Sequence, residues 1–183
     1  MKSFSSWMVE TIRQDHQIAW MEEKRFELVA QFALSIKNII DGKATILITD
    51  KKREWFYSYA LNRLNPSSFD RPLLPIVGID SLYAHVDSVD DEDKILLLDD
   101  MLLSIFEDGF NYFYIGQADD KRAEIAKSKR DSMLWLFDKK ESNSIYLNSF
   151  DKRSDIKLIE LLDIYESAIE ATLFGEIDLE GAL

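Results

Sequence analysis

Ala44-Thr45-Ile46-Leu47-Ile48-Thr49 runs directly into Asp50-Lys51-Lys52-Arg53, and these residues decide the fold. The first six carry no charge and are rich in β-branched side chains, which is the composition of a strand buried on both faces, as in parallel sheets. Upstream, Asp41-Gly42 ends a helix, because glycine takes the left-handed capping conformation at little steric cost. Downstream, Asp50 is an N-cap residue for a helix whose face is built by Trp55, Phe56, Tyr59, Ala60 and Leu64. Asn65-Pro66 then stops it, since the residue before a proline is pushed out of the helical region. Strand followed by helix is the opening half of a parallel crossover unit.

The alternation continues outward. Leu73 to Ile79 is a second continuous apolar run, and a helix from Glu92 to Phe106 places Ile95, Leu98, Leu102, Ile105 and Phe106 at steps of three and four with Asp99 and Asp100 in the gaps. Gly109 resets the chain. Phe110 to Ile115 reads as strand three, Asp119 to Arg130 as a charged helix, Met133 to Phe137 as strand four and Ser144 to Leu147 as strand five. Before the first strand, Trp7 to Ile40 reads as two helices broken near Asp15. After the last, Ser154 or Asp155 caps a helix carrying Leu158, Leu161, Leu162, Tyr165, Ile169 and Leu173, widened by Ile164, Ala168 and Phe174.

The pattern predicts an α/β fold with a mostly parallel five-stranded sheet, doubly wound in three layers, in a single domain over residues 1–183. Asp138 to Asn143 is shorter than the dozen or so residues a parallel crossover usually takes, so periodicity predicts a hairpin there. The apolar stripes of the terminal helices are wider than one sheet face needs, which predicts contact with another subunit.

The chain has 183 residues, with 22 Lys and Arg against 34 Asp and Glu for a formal net charge of −12. That balance opposes direct DNA binding, which draws its affinity from clustered cations on phosphates. A hydrophobic fraction of 46% excludes intrinsic disorder, and the absence of cysteine removes thiol catalysis, disulfides and cysteine-ligated metal sites together. No apolar run reaches bilayer length, and Glu10, Arg13 and Asp15 interrupt the N-terminal segment. A cytoplasmic protein with no membrane contact is the expectation.

Chemistry is sparse. Asp50 to Arg53 occupies the place of a phosphate loop but has no glycine, and neither a G-x-G-x-x-G pattern nor a P-loop occurs, so no cofactor is expected. Ile95 to Leu102 superficially resembles the phosphoacceptor segment of a receiver domain, but the acidic pair that would hold magnesium after the first strand is missing. His16 and His85 each stand without a nearby serine, cysteine or second histidine. No catalytic or metal-ligating residue is named. Trp55, Phe56, Tyr57 and Tyr59 cannot all face one sheet, so some either contact a subunit or partner or complete the core.

Arg53-Glu54-Trp55-Phe56, Tyr59, Leu61, Leu64-Asn65-Pro66 and Arg71-Pro72-Leu73-Leu74 resemble the HobA family of bacterial replication-initiation regulators. The resemblance continues in Leu134-Trp135-Leu136-Phe137, in Asp155-Ile156-Lys157-Leu158 and from Tyr165 to Phe174, and covers most of the chain. It implies a sugar-isomerase-like (SIS-like, flavodoxin-like) fold shared with the similar regulator DiaA. It also implies a homotetramer that binds the N-terminal domain of the initiator DnaA without being an enzyme, and a parallel fifth strand in place of the hairpin. The partner-binding residues expected on this basis and on apolar excess are Trp55, Tyr59, Leu173 and Phe174, with packing between subunits as the competing role. A phosphosugar-binding or isomerising SIS-domain protein is the alternative function. Glu176, Asp178 and Glu180 extend beyond the helix that carries the resemblance.

Overall fold

The computed structural model describes residues 2–66 and 71–182; the expected domain limits, 1 and 183, lie outside them. The chain opens with a two-residue strand, β1 (Lys2–Ser3), and helix α1 (Phe4–Gln14). The expected break falls at Asp15, whose carboxylate accepts the Gln17 N–H at 2.8 Å and starts a 3-10 segment, His16–Lys24. Helix α2 (Arg25–Ile40) follows, ending at Gly42 with φ +86°, and leads into β2 (Ala44–Thr49). A 3-10 turn over Lys51–Arg53 feeds α3 (Glu54–Leu64). Then come β3 (Ile76–Gly78), the single turn α4 (Ile79–Leu82), α5 (Glu92–Ile105), β4 (Phe110–Gln117), α6 (Lys121–Lys127), β5 (Met133–Phe137), β6 (Ile145–Leu147), α7 (Ser154–Leu173) and β7 (Ile177–Asp178).

Five strands form one sheet in the order β3-β2-β4-β5-β6, every neighbouring pair parallel. Because side chains alternate along a strand, β2, β4 and β5 feed two cores. Leu47, Phe113, Ile115, Trp135 and Phe137 share one core with α2, α3 and α7 on one face, and α1 packs outside them on α2. Ile46, Ile48, Tyr112, Tyr114 and Leu136 meet α5 and α6 on the other. The order reverses between β2 and β4, so the ligand crevice typical of such sheets lies just past Thr49 and Gln117.

Four expectations are corrected. The second strand contracts from Leu73–Ile79 to Ile76–Gly78, since Pro72 and Pro75 have no N–H to donate to a ladder. Its approach is held instead by the Asn65 amide, which donates to the Leu74 carbonyl and accepts the Leu74 N–H, both at 2.8 Å. The hairpin expected between strands four and five is a parallel crossover, with Trp135 beside Ile145 and Phe137 beside Leu147. Seven residues suffice because β6 is short and the chain reverses at Asp138 and Asn143, at φ +64° and +55°, a region that Asp and Asn enter more readily than most residues. Neither Ser154 nor Asp155 caps α7; the Asp151 carboxylate accepts the Arg153 N–H at 2.8 Å just ahead of it.

The fourth correction concerns the chain ends. The apolar stripe of α1 and most of that of α7 are covered within one chain: Phe4, Met8 and Ile12 are buried, as are Leu158, Leu161, Tyr165 and Ile169, whereas Leu173 and Phe174 stay exposed. β1 pairs with β7, Lys2 beside Ile177, so the tail closes back on the first helix. The apolar surface left for another subunit is therefore narrower than the width of the stripes suggests, and on α7 it is concentrated at Leu173 and Phe174.

Candidate functional site

The crevice at the sheet's switch point is shut by the chain's own side chains. Asp50, at the carboxyl end of β2, accepts the backbone N–H groups of Arg53 at 3.0 Å and Gln117 at 2.8 Å. Its second partner charge is the Arg53 guanidinium at 2.7 Å, which lies 3.8 Å over the Phe137 ring. These are the donors a phosphate would use, and a carboxylate already holds them. Gly116 lets the walls close: a Cβ there would stand 2.4 Å from the Tyr114 hydroxyl and 2.9 Å from the Asp50 Cβ.

Outside this plug is a cleft of about 450 Å³ lined by Lys51, Lys52, Lys121, Arg122, Asp87 and Asp120 among others. Its cations are largely engaged. Arg122 holds Asp87 through Nη2 at 2.7 Å and donates to the Thr49 carbonyl at 3.0 Å, while Lys51 reaches Asp87 at 3.3 Å. Hydrogen bonding from Arg122 keeps the Asp87 carboxyl below its usual range. Among the described residues no group of three acids or histidines is placed to hold a metal ion, and both His16 and His85 are on the surface.

The expected partner residues divide into two pairs. Trp55 begins α3 with 43% of its surface exposed, packed edge-on against buried Phe56 at 5.4 Å. Tyr59 follows one turn later, half-buried, 6.0 Å from the same ring. Leu173 and Phe174 end α7, and Phe174 is 61% exposed. Both helices follow parallel strands and run the same way, pinned side by side where Arg63 meets Glu166 at 2.7 Å and Asp163 at 3.4 Å. Trp55 precedes this clamp and Leu173 lies beyond it, so at 1.5 Å per residue about 20 Å of helix separates them. One chain does not bring the two pairs together.

The clamp has a buried side, Glu166 with Arg71 behind it, while Arg63 and Asp163 are about half exposed. Arg71 donates to the Leu64 carbonyl at 2.6 Å, closing the end of α3, and faces Glu166 at 3.7 Å and Glu170 at 3.4 Å. Burial raises the Glu166 carboxyl despite Arg63 beside it. The sequence reading missed two exposed features. Phe150, 88% exposed, stands in the loop between β6 and α7, where no periodicity marks it; α5 turns Leu96 and Leu97 outward although its apolar spacing is helical. No described helix is long and apolar enough to cross a membrane.

Comparison with known proteins agrees with this architecture. The family described as "HobA: DNA replication regulator" matches residues 1–179, a span that takes in Glu176 and Asp178 of the tail. The DNA replication regulator protein HobA of Helicobacter pylori (strain ATCC 700392 / 26695) is 26% identical over 191 residues, covering 98% of this chain and all of the relative. A crystal structure of a complex of HobA with DnaA domains I–II from Helicobacter pylori superposes with a TM-score of 0.74 at 26% identity, over 97% of this chain and 99% of the other. A crystal structure of HobA from the same organism gives a TM-score of 0.74 at 24% identity with the same coverage. With a match along nearly its whole length, the chain belongs to the HobA family of DNA replication regulators.

Proposed function

We propose that this regulator is a non-enzymatic adaptor that binds the N-terminal domain of the replication initiator DnaA and promotes its assembly at the chromosomal origin. The observation that carries the reading is the likeness, over 97% of the chain, to a HobA seen in complex with DnaA domains I–II. Its closed crevice supports the non-enzymatic part, because isomerising a sugar phosphate needs a held phosphate, and Asp50 occupies the N–H groups that would hold one. We place it in the cytoplasm, as one domain over residues 1–183, assembled as a homotetramer.

A surface shared between subunits fits the separation of Trp55 and Tyr59 from Leu173 and Phe174. The end of α7 on one protomer, brought to the start of α3 on its partner, would unite two apolar pairs that one chain keeps apart. Aromatic and aliphatic anchors of this kind concentrate interface energy.

The test is capture of the purified DnaA N-terminal domain on immobilised protein, with tetramer mass followed by light scattering. Leu173→Ala with Phe174→Ala should lower capture and keep the mass of four chains. Absent capture by the unaltered protein would sink the adaptor reading. Unchanged capture by the variant would remove the end of α7 from the site, and a fall in mass would make these residues subunit contacts.

A further inference from the structure

Helix α5 is the outer cover of the second core, yet much of its apolar surface faces outward. Leu98 and Leu102 are buried, whereas Leu96, Leu97, Leu103 and Ile105 are each about half exposed or more, with Leu97 at 69%. At 100° per residue, Leu96 and Leu103 fall on one flank and Leu97 and Met101 on the other, with Asp93 and Asp100 on the ridge between. The first flank descends into a cleft of about 540 Å³ between α5 and α6, with Ile95 and Leu96 in its wall and Asp91, Glu92, Asp99 and Glu124 around it. The second flank borders a smaller hollow of about 140 Å³ that includes Tyr83 and Val89. Paired apolar flanks beside grooves are the form of a docking face rather than of a solvated helix.

Charge selects the occupant. Asp90, Asp91, Glu92, Asp93, Asp99, Asp100, Glu107 and Asp108 lie within one segment whose single base is Lys94. Lys94 is already engaged by Asp90 and Asp91, and at the cleft Lys121 lies near Asp90 and Lys127 pairs with Glu124. Glu92, Asp93 and Asp100 are exposed and have no ion pair among the described residues. A second copy would meet this face through a two-fold axis, setting carboxylates against carboxylates. Nucleic acid and anionic lipid are repelled for the same reason.

We infer that the α5 face docks a basic amphipathic helix of an unlike protein. Aliphatic side chains of that helix would cover Leu96 and Leu97 while its lysines and arginines meet Glu92, Asp93 and Asp100. The surface is separate from the α3 and α7 residues discussed above, and the inference does not depend on them.

The test uses a labelled helical peptide of about 18 residues, with leucines along one face and lysines and arginines on the rest. It is titrated by fluorescence anisotropy at ~50 and ~200 mM salt against three proteins: wild type, Leu96→Ser with Leu97→Ser, and Asp93→Lys with Asp100→Lys. Circular dichroism and light scattering accompany each. Saturable one-site binding by wild type is expected, weakened about tenfold by either variant and by salt, with the assembly mass unchanged. The charge-reversed protein alters exposed positions only, so it reads the site even if the double serine variant folds poorly. Equal binding by all three proteins, or equal binding of a peptide with its leucines replaced by serine, overturns the inference. So does a fall in mass in the double serine variant, which would make a second copy the occupant.

Discussion

Asp50 and Arg53 meet at 2.7 Å with side chains only 3% and 8% exposed, inside the crevice where sheets of this topology hold their ligands. The carboxylate also takes two backbone N–H groups, one from the start of its own helical turn and one from Gln117 across the sheet. The site therefore contains an anion that is part of the chain. Such a pair is a weak source of net stability, but breaking it is costly because the remaining charge is left buried and alone.

Asp50→Ala is accordingly expected to destabilise the protein by about 3 to 5 kcal/mol. It also frees the guanidinium and both N–H groups for an outside anion. Phosphate at tens of millimolar should then raise the melting temperature of the variant and leave the wild type unmoved at matched ionic strength. Adding Arg53→Met should recover part of the loss and abolish the phosphate effect. Identical phosphate responses in variant and wild type would show that Asp50 does not stand in for a ligand.

Phe56 and Trp55 are neighbours with opposite environments. Phe56 is fully buried, with its ring 6.3 Å from Trp135, so Phe56→Ala should cost about 3 to 5 kcal/mol in urea unfolding. Trp55→Ala removes a ring that is 43% exposed and touches the core only at its edge, and should change stability by about 1 kcal/mol. Its effect is expected in the capture of the DnaA N-terminal domain, which should fall about tenfold or more if the ring is an anchor. A variant that unfolds readily but captures normally would reassign Trp55 to the core.

Continuous apolar runs such as Ala44–Thr49 and Met133–Phe137 were legible as buried strands because both faces of the sheet are covered, so no polar alternation blurs them. The pairing of Lys2 with Ile177 was not, since two-residue strands have no period and their partners lie at opposite ends of the chain. The direction of the fifth strand depended on backbone reversals at Asp138 and Asn143, which side-chain hydropathy does not record. Asp50 could be read as a cap from its place before a helix; its role as a plug depended on Gln117, distant in sequence. In α5 the spacing identified a helix, but not that Leu96 and Leu97 would be left outside it.

Asp138 offers a test of the crossover through pH. Its carboxylate accepts the Ser149 N–H at 2.8 Å, the Ser149 hydroxyl at 2.5 Å and the Gln117 amide at 2.9 Å. Burial opposes the charge, but these donors outweigh it and hold the carboxyl below its ordinary 3.8. A group whose folded pKa is depressed contributes stability that is full above the unfolded value and lost as pH falls through the folded one. Asp138→Asn keeps the left-handed backbone and one acceptor, and because the site is exposed it should cost only about 1 kcal/mol at pH 7. That difference should shrink as the pH is lowered past about 4, where the wild-type carboxylate takes up its proton. Asp138→Ala adds backbone strain of about 1 kcal/mol that does not vary with pH. Urea unfolding of the three proteins at neutral and acidic pH separates the two effects, and a deficit in Asp138→Asn that is the same at both would mean that the charge does not anchor the turn.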